Sequence, residues 1–135
     1  MKLLTVALIL SVSRLCPASY TVWVKTGDRY YSGTDDNILL MVKFKSSHDI
    51  WVSLGYLDED GRDDNERHSL DLHIMDRGLP SWTSGKEVKC VKLYTDDDDG
   101  WLLDWISVDG KVFRNSANTW MSTDGTEGVR ELILC

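Results

Sequence analysis

The sequence has little histidine and little cysteine, two residue types that enzymes often use for chemistry. It contains three histidines and three cysteines, and it has no Gly-x-Ser-x-Gly segment. His68 and His73 are an odd number of positions apart, so on one strand they point to opposite faces and cannot share a metal ion. His48 stands alone in the polar segment SSHD. Because catalysis requires a base, a nucleophile and an orienting group in one place, we expect a protein that is not an enzyme.

A helical repeat of apolar residues is also missing from every stretch of eleven or more residues. Apolar and polar residues instead alternate in eight short segments that are separated by Gly- and Asp-containing turn signals. Eight strands without intervening helices predict an all-β antiparallel sandwich or small barrel. The alternation predicts an inward set: Tyr20, Val22, Val24, Ile38, Leu40, Val42, Phe44, Ile50, Val52, Leu54, Tyr56, Leu70, Leu72 and Ile74.

Three local features refine this pattern. In HSLDLHIM the alternation directs Asp71 and His73 outward. Val88 and Val91 in EVKCVKLY cannot share one face of a regular strand, which indicates a β-bulge between them. Asp109-Gly110 between two apolar runs is a tight-hairpin signal.

Positive charge is scarce. The chain has 15 basic and 22 acidic residues, for a net charge of −7. Nucleic acid is not expected as a partner, because phosphate binding requires clustered Lys and Arg. An anionic lipid surface is likewise a poor partner unless something offsets the negative charge.

The amino terminus has the pattern of a secretory signal peptide. Lys2 precedes an apolar run at positions 3–12, and Ala18 offers a small residue for cleavage. The run is too short to span a bilayer, although a retained anchor is the alternative. We expect cleavage after Ala18, or else after Ser19, which leaves one domain of residues 19–135 with a net charge of −9, because Lys2 and Arg14 are removed. The expected product is a secreted, extracellular, soluble monomer.

Two cysteines remain after cleavage, Cys90 and Cys135. In an oxidising compartment such a pair predicts one disulfide within the chain. The alternatives are two free thiols or a covalent dimer through Cys135. No Asn-x-Ser/Thr sequon occurs, so N-glycosylation is not expected.

Acidic residues collect between the predicted strands, in segments that we name the first (26–37), second (57–67) and third (94–101) acidic loops. Four successive aspartates in the third loop repel one another, by about 1 kcal/mol for a pair ~4 Å apart in water. Hard cations such as Ca²⁺ are held by six to eight oxygen ligands of this type. Gathered at one end of a sandwich, the loops would bind calcium. The alternative is three solvated loops whose acids keep the protein soluble.

The chain resembles the PLAT domain, also called the lipoxygenase-homology domain. The matching segments are YTVWVKTGDRYYSGTDDNILLMV, NERHSLDLHI, WLLDWISV and FRNSANTWM leading to RELIL, in the order and spacing of that family. Two positions depart from the family pattern. His68 replaces the glycine usual after Glu-Arg, and Asn65 replaces the usual aromatic residue before it.

The resemblance implies an eight-stranded sandwich of two four-stranded sheets that binds membranes, lipoprotein surfaces or a protein partner, often with calcium. The ligand positions carried over from the family are Gly33, Thr34, Asp35, Asp63, Asp64 and Asp99. Asp98, which we add to the predicted ligands, and Asp36 are neighbours that could substitute or support. Tyr31 stands where calcium binders often carry another acid.

Aromatic residues complete the expectation. Tyr30 and Tyr31 lie in the first acidic loop and are the predicted membrane contacts, because Tyr and Trp favour the headgroup level. Their alternative role is packing across the base of that loop. Trp101 is expected in the core, and Trp82 lies in a loop and could be exposed. The remaining tryptophans are taken as structural: Trp23, Trp51, Trp105 and Trp120.

The sequence thus predicts a secreted, non-catalytic module that attaches to lipid or membrane surfaces with the help of calcium. The alternative is an extracellular protein–protein interaction module that works without calcium, through a sheet face or an edge strand.

Overall fold

The computed structural model describes residues 19–28, 33, 37–57, 66, 68–75, 79–95, 100–123 and 128–135. The predicted signal peptide, residues 1–18, lies outside this part of the chain. Within the described residues, no helix has the length and apolar character needed to cross a bilayer.

Eight strands form in the order that the alternation predicts. They are β1 (Tyr20–Thr26), β2 (Ile38–Phe44), β3 (Val52–Tyr56), β4 (Leu70–Met75), β5 (Val88–Thr95), β6 (Leu103–Val108), β7 (Lys111–Arg114) and β8 (Glu131–Leu134). A 3-10 turn, Ser81–Thr83, precedes β5. Strand β7 is shorter than the segment KVFRNSANTW suggested, because the chain turns after Arg114.

The strands form two four-stranded antiparallel sheets. The first sheet has the order β4-β1-β6-β7 and the second has the order β3-β2-β5-β8. The expected all-β sandwich of two four-stranded sheets is therefore confirmed. Its interior holds the inward residues of β1 and β2, from Val22 and Val24 to Leu40 and Val42, all fully buried. Each such side chain contributes about 1.5–3 kcal/mol through its removal from water.

The hairpin signal is confirmed at Asp109-Gly110. Both residues have positive φ, 49° and 84°, as a two-residue turn of type I′ requires. The turn is also tied to β1. The Thr21 amide donates to Oδ1 of Asp109 at 2.8 Å, and the Asp109 amide donates to the Thr21 carbonyl at 2.9 Å.

The predicted β5 bulge is present. Lys43 pairs with Cys90 whereas Phe44 pairs with Val88, so Lys89 is the extra residue. The extra residue allows Val88 and Val91 both to reach the core.

The predicted inward set of β3 is only half correct. Val52 and Leu54 are buried, but Ile50 and Tyr56 are about half exposed. A second register shift explains Tyr56. Leu40 pairs with Gly55 and Met41 with Ser53, so one extra residue in β3 reverses the alternation beyond it.

The prediction for β4 is wrong, because the strand presents the opposite face to the core. Asp71 (7% exposed) and His73 (2%) point inward, while Leu70 (52%) and Ile74 (57%) point outward. A displacement of one residue in a strand exchanges its two faces. Hydrogen bonding reduces the cost of burying Asp71, since Oδ2 accepts a bond from Ser69 Oγ at 2.9 Å.

The disulfide joins Cys90 and Cys135 within the chain, which excludes both alternatives in this structure. Cys90 lies opposite Lys43 on the outer side of the second sheet, and Cys135 directly follows β8. The Cα atoms are 4.2 Å apart, as expected for residues on neighbouring antiparallel strands. The bond therefore fixes the last strand to β5.

The backbone at position 68 explains why glycine would suit this position. His68 adopts φ of 62°, in the left-handed region where glycine meets no steric penalty. A residue with a Cβ atom costs roughly 1–2 kcal/mol there. The family glycine is thus a response to backbone conformation, and His68 stores strain at the entry to β4.

We expect removal of the disulfide to destabilise the protein strongly. The bond spans 45 residues, and closing a loop of that size contributes about 4 kcal/mol on the chain-entropy model. Replacing Cys90 and Cys135 together by serine should lower the free energy of unfolding by about 2–4 kcal/mol in urea titrations. Unchanged stability would mean that β8 is held by strand pairing alone.

Replacement of His68 by glycine should stabilise the protein by up to about 1 kcal/mol, because strain relief exceeds the added freedom of the unfolded chain. The measurement is the free energy of unfolding. His68→Ala is the matched control, since it keeps the strain and removes only the imidazole. Equal stability of the glycine and alanine variants would show that the backbone at this position is not strained.

Candidate functional site at the loop end

The bases of the three acidic loops lie at one end of the sandwich, which we name the loop end. In the first sheet, Lys25 pairs with Leu70 and Thr26 with Leu103, so the end of β1 meets the starts of β4 and β6. In the second sheet, the start of β2 meets the ends of β3 and β5. Each acidic loop therefore crosses from one sheet to the other at this same end.

Backbone hydrogen bonds join these loop bases to one another. The Gly27 amide donates to the Leu102 carbonyl at 2.7 Å, and the His68 amide donates to the Gly27 carbonyl at 3.0 Å. Gly27, in the first acidic loop, thus contacts the residues that directly follow the second and third acidic loops. A Cβ atom at this position would lie 3.0 Å from the Leu102 carbonyl oxygen, so only glycine fits without a shift.

Trp101 supports the loop end from inside, and its predicted place in the core is confirmed. The side chain is fully buried, and Nε1 donates to Thr26 Oγ1 at 3.1 Å. Its backbone pairs with Met121 through two hydrogen bonds. The indole thereby connects the third acidic loop to the last residue of β1. Its buried N–H has a hydrogen-bond acceptor, as a buried tryptophan usually does.

Asn115 is a structural residue that the sequence analysis missed. It is 4% exposed, and Nδ2 donates to the carbonyls of Leu103 and Thr119, each at 2.9 Å. Its Oδ1 accepts from the Thr119 amide at 3.1 Å. One buried amide thus holds the turn after β7 against the start of β6. The segment NSAN only suggested a polar turn, and pairing with Leu103 could not be read from it.

A groove of about 330 Å³ opens beside these contacts. It contains two carboxylates, those of Asp28 and Asp104, neither of which was selected from the sequence. Asp28 also approaches His68, with Oδ1 3.4 Å from Nδ1, and both side chains are mostly exposed. Such an exposed pair contributes little to stability. The groove is lined by Gly27, Asp28, Leu102, Leu103, Asp104 and Asn118.

The described residues supply part of what a calcium ion requires. Carboxylate and main-chain oxygens are suitable donors, but two carboxylates fall short of six to eight oxygens. Among the described residues, no three acidic, His or Cys side chains lie close enough together to hold a metal ion. Of the predicted ligands, Gly33 is described and is half-buried. The other ligands and both predicted membrane contacts lie outside the described residues: Thr34, Asp35, Asp63, Asp64, Asp98, Asp99, Tyr30 and Tyr31.

The opposite end of the sandwich is rich in lysine. Lys43 binds Asp49 at 2.9 Å, and Lys45 binds Glu87 at 3.1 Å. Hydrogen bonding to Lys43 holds the pKa of Asp49 below its usual value, and bonding to Lys45 does the same for Glu87. These exposed acids are thus neutralised by neighbours. The bases of the three acidic loops lie at the other end of the sandwich.

Trp82 lies at this far end and is only partly exposed. Its ring packs edge-on against Phe44 with centroids 5.9 Å apart, and it stacks on His48 at 4.3 Å. The tryptophan therefore closes the core there.

Comparison with solved structures gives the same fold in larger proteins. Coral 8R-lipoxygenase, which is activated by calcium through a C2-like domain, matches with a TM-score of 0.62 at 20% identity. The match covers 87% of this chain and 16% of the lipoxygenase. The alpha toxin of Clostridium absonum matches with a TM-score of 0.64 at 22% identity, over 88% of this chain and 31% of the toxin.

This chain thus corresponds to less than a third of either neighbour, and identities at this level show a shared fold. No curated protein matches the sequence. The sequence profile of the PLAT/LH2 domain family matches residues 20–134, which include all eight strands. The chain therefore belongs to the PLAT/LH2 domain family.

Proposed function

We propose that this protein is a secreted, non-catalytic PLAT module that attaches to lipid or membrane surfaces with the help of calcium. The observation that carries the proposal is the convergence of the three acidic loop bases at one end of a PLAT sandwich. Acids brought together in this way repel one another, and they also repel anionic headgroups. Bound calcium would supply the positive charge that offsets both effects.

The chain's own residues have distinct roles in this proposal. Oxygen atoms of Gly33, Thr34, Asp35, Asp63, Asp64, Asp98 and Asp99 would hold the ion, with Asp28 and Asp104 contributing negative charge nearby. The Gly27 contacts and the Trp101 anchor would keep the loop bases in place whether or not the ion is present. Tyr30 and Tyr31 would contact headgroups.

Two further findings agree with this proposal. A disulfide is the bond expected of an extracellular protein. A solved neighbour with the same fold, coral 8R-lipoxygenase, is activated by calcium through a C2-like domain. Secretion would follow from removal of residues 1–18.

A second candidate function is docking of a protein partner without calcium. It is favoured by the outer side of the second sheet, where two ammonium groups approach the Trp51 ring. Lys43 Nζ is 4.8 Å and Lys92 Nζ is 4.7 Å from its ring centroid. Tyr56 and Ile133 on the same side are about half exposed. Tryptophan and tyrosine are common anchors at protein interfaces.

Millimolar Ca²⁺ should raise the melting temperature of the wild-type protein, because an ion that binds only the folded state stabilises it by about 2.7 kcal/mol at a hundred times its Kd. The variants Asp35→Asn, Asp64→Asn and Asp99→Asn should each reduce the shift, since each removes one charged ligand. Differential scanning calorimetry with Ca²⁺ and with EGTA measures both effects.

Asp49→Asn is the matched control, because it removes an exposed carboxylate at the lysine-rich end. It should leave the calcium-induced shift unchanged. The same loss of shift in all four variants would indicate a general charge effect, and no shift in the wild type would exclude a calcium site.

Flotation of vesicles that contain phosphatidylserine should recover the protein in Ca²⁺ and lose it in EGTA, because the loop end is repelled until its charge is offset. Mg²⁺ at the same concentration controls for ionic strength, since its small octahedral shell suits this ligand set poorly. Equal recovery in Ca²⁺ and EGTA would contradict calcium assistance.

A further inference from the structure

The outer side of the first sheet is apolar and faces solvent. Four side chains on it are substantially exposed, namely Trp23 (37%), Leu70 (52%), Ile74 (57%) and Val112 (48%). Leu72 and Trp105 on the same side are half-buried. We name this surface the apolar face; it consists of Trp23, Leu70, Leu72, Ile74, Trp105 and Val112.

Strand pairing makes these residues neighbours. Trp23 is opposite Leu72 on one side and Ser107 on the other. Lys25, two residues after Trp23 and on the same side of β1, lies between Leu70 and Trp105. Side chains opposite each other on antiparallel strands are about 4.5–5.5 Å apart, so the face extends across β4, β1 and β6, with Ser107 and Lys25 among its apolar residues. Contiguous exposed apolar surface on a small soluble domain commonly marks an interaction site.

The orientation of β4 makes this face unusual. The strand exposes Leu70 and Ile74 while it buries Asp71 and His73. Burial of polar groups costs free energy even when they are hydrogen-bonded, and the opposite register would bury the apolar set instead. A strand that exposes its apolar residues and buries its polar ones is expected where the exposed surface serves a function.

The charges of the face point to an anionic partner. The residues that strand pairing places on this side include two cations, Lys25 and Arg114, and two acids lie at its margin, Asp104 beside Trp105 and Asp109 beside Thr21. This composition contrasts with a chain whose net charge is −7. Tryptophan, aliphatic side chains and cations together are the composition of surfaces that lie at a membrane interface.

We propose that the apolar face is the surface that lies against lipid, with Trp23, Leu70 and Ile74 entering the headgroup region and Lys25 and Arg114 binding anionic headgroups. This inference rests on the proposed lipid-binding function and assigns its main contact to a sheet face. A second copy of the chain is a weaker occupant, because a symmetric face-to-face contact would bring like cations together.

The face adjoins the loop end, so both surfaces can act in one orientation. Leu70 is the first residue of β4 and follows the second acidic loop, and Trp105 lies in β6 shortly after the third. A sandwich that rests on this sheet would have its acidic loops at the rim of the contact. Their charge would oppose contact with anionic lipid until it is offset.

The second sheet provides an internal comparison. Its outer side also carries an exposed isoleucine on an edge strand, Ile133 at 51%. On that side, however, Trp51 is approached by Lys43 and Lys92, and the disulfide occupies part of the surface. Ile74 and Ile133 thus form a matched pair in residue type, exposure and edge position.

Vesicle flotation in Ca²⁺ with phosphatidylcholine vesicles that contain phosphatidylserine tests the inference. Ile74→Ser should lower the partition coefficient by roughly tenfold, because one exposed aliphatic side chain no longer leaves water. Arg114→Glu should weaken binding to these vesicles and have little effect on phosphatidylcholine alone. Ile133→Ser should bind as the wild type does. Thermal melts check that each variant is folded.

A second measurement uses phosphatidylcholine brominated in its acyl chains, mixed with phosphatidylserine. Trp23→Phe should reduce the tryptophan intensity that the brominated lipid quenches, whereas Trp51→Phe should leave that quenched intensity unchanged.

The outcomes separate the two proposals. A wild type that does not float overturns the proposed function and this inference with it. Equal flotation of the wild type, Ile74→Ser and Ile133→Ser in Ca²⁺ would overturn this inference alone. The loops would then remain the proposed contact. Loss of binding only in Ile133→Ser assigns the contact to the second sheet. Concentration-dependent dimers in sedimentation that Ile74→Ser abolishes assign the face to a second copy.

Discussion

Packing of two four-stranded sheets around one apolar interior is the constraint on which the other features depend. The chain passes from one sheet to the other through each acidic loop, so a single arrangement of strands brings all three loop bases together. Gly27 and Trp101 then fix those bases by a close backbone contact and a buried hydrogen bond. The same packing leaves one side of each sheet outside, which creates the apolar face.

Strict alternation was enough to place β1 and β2, because both strands run regularly through the core. It also located the β5 bulge, since Val88 and Val91 conflict with a regular strand. It failed for β3 and β4. In β3 an extra residue before Tyr56 reverses which side chains face the core. In β4 a hydrogen bond stabilises the buried Asp71, which the pattern assigns to solvent. Hydrophobicity alone contains neither kind of information.

The candidate site divides in a similar way. Grouping of acids between strands and the pairing of two cysteines were visible in the sequence, and the disulfide is formed. The sequence did not reveal the groove that contains Asp28 and Asp104, nor the hydrogen bonds of the buried Asn115 amide. Both depend on neighbours that only strand pairing brings together. His68 shows a further limit. Its departure from the family pattern was evident, but the strain that the departure causes depends on a backbone angle.

Charge is separated along the sandwich, with lysine-paired acids at one end and the acidic loops at the other. The central claim is that these loops bind a hard cation at the loop end. A calcium titration followed by amide NMR shifts tests it most directly. The account predicts amide shift changes confined to the three acidic loops, including Gly27 at the base of the first. The amide shifts of β2 and β5 should stay unchanged at the lysine-rich end of the sandwich. Shifts centred on Asp49 and Glu87, or none at all, would contradict it.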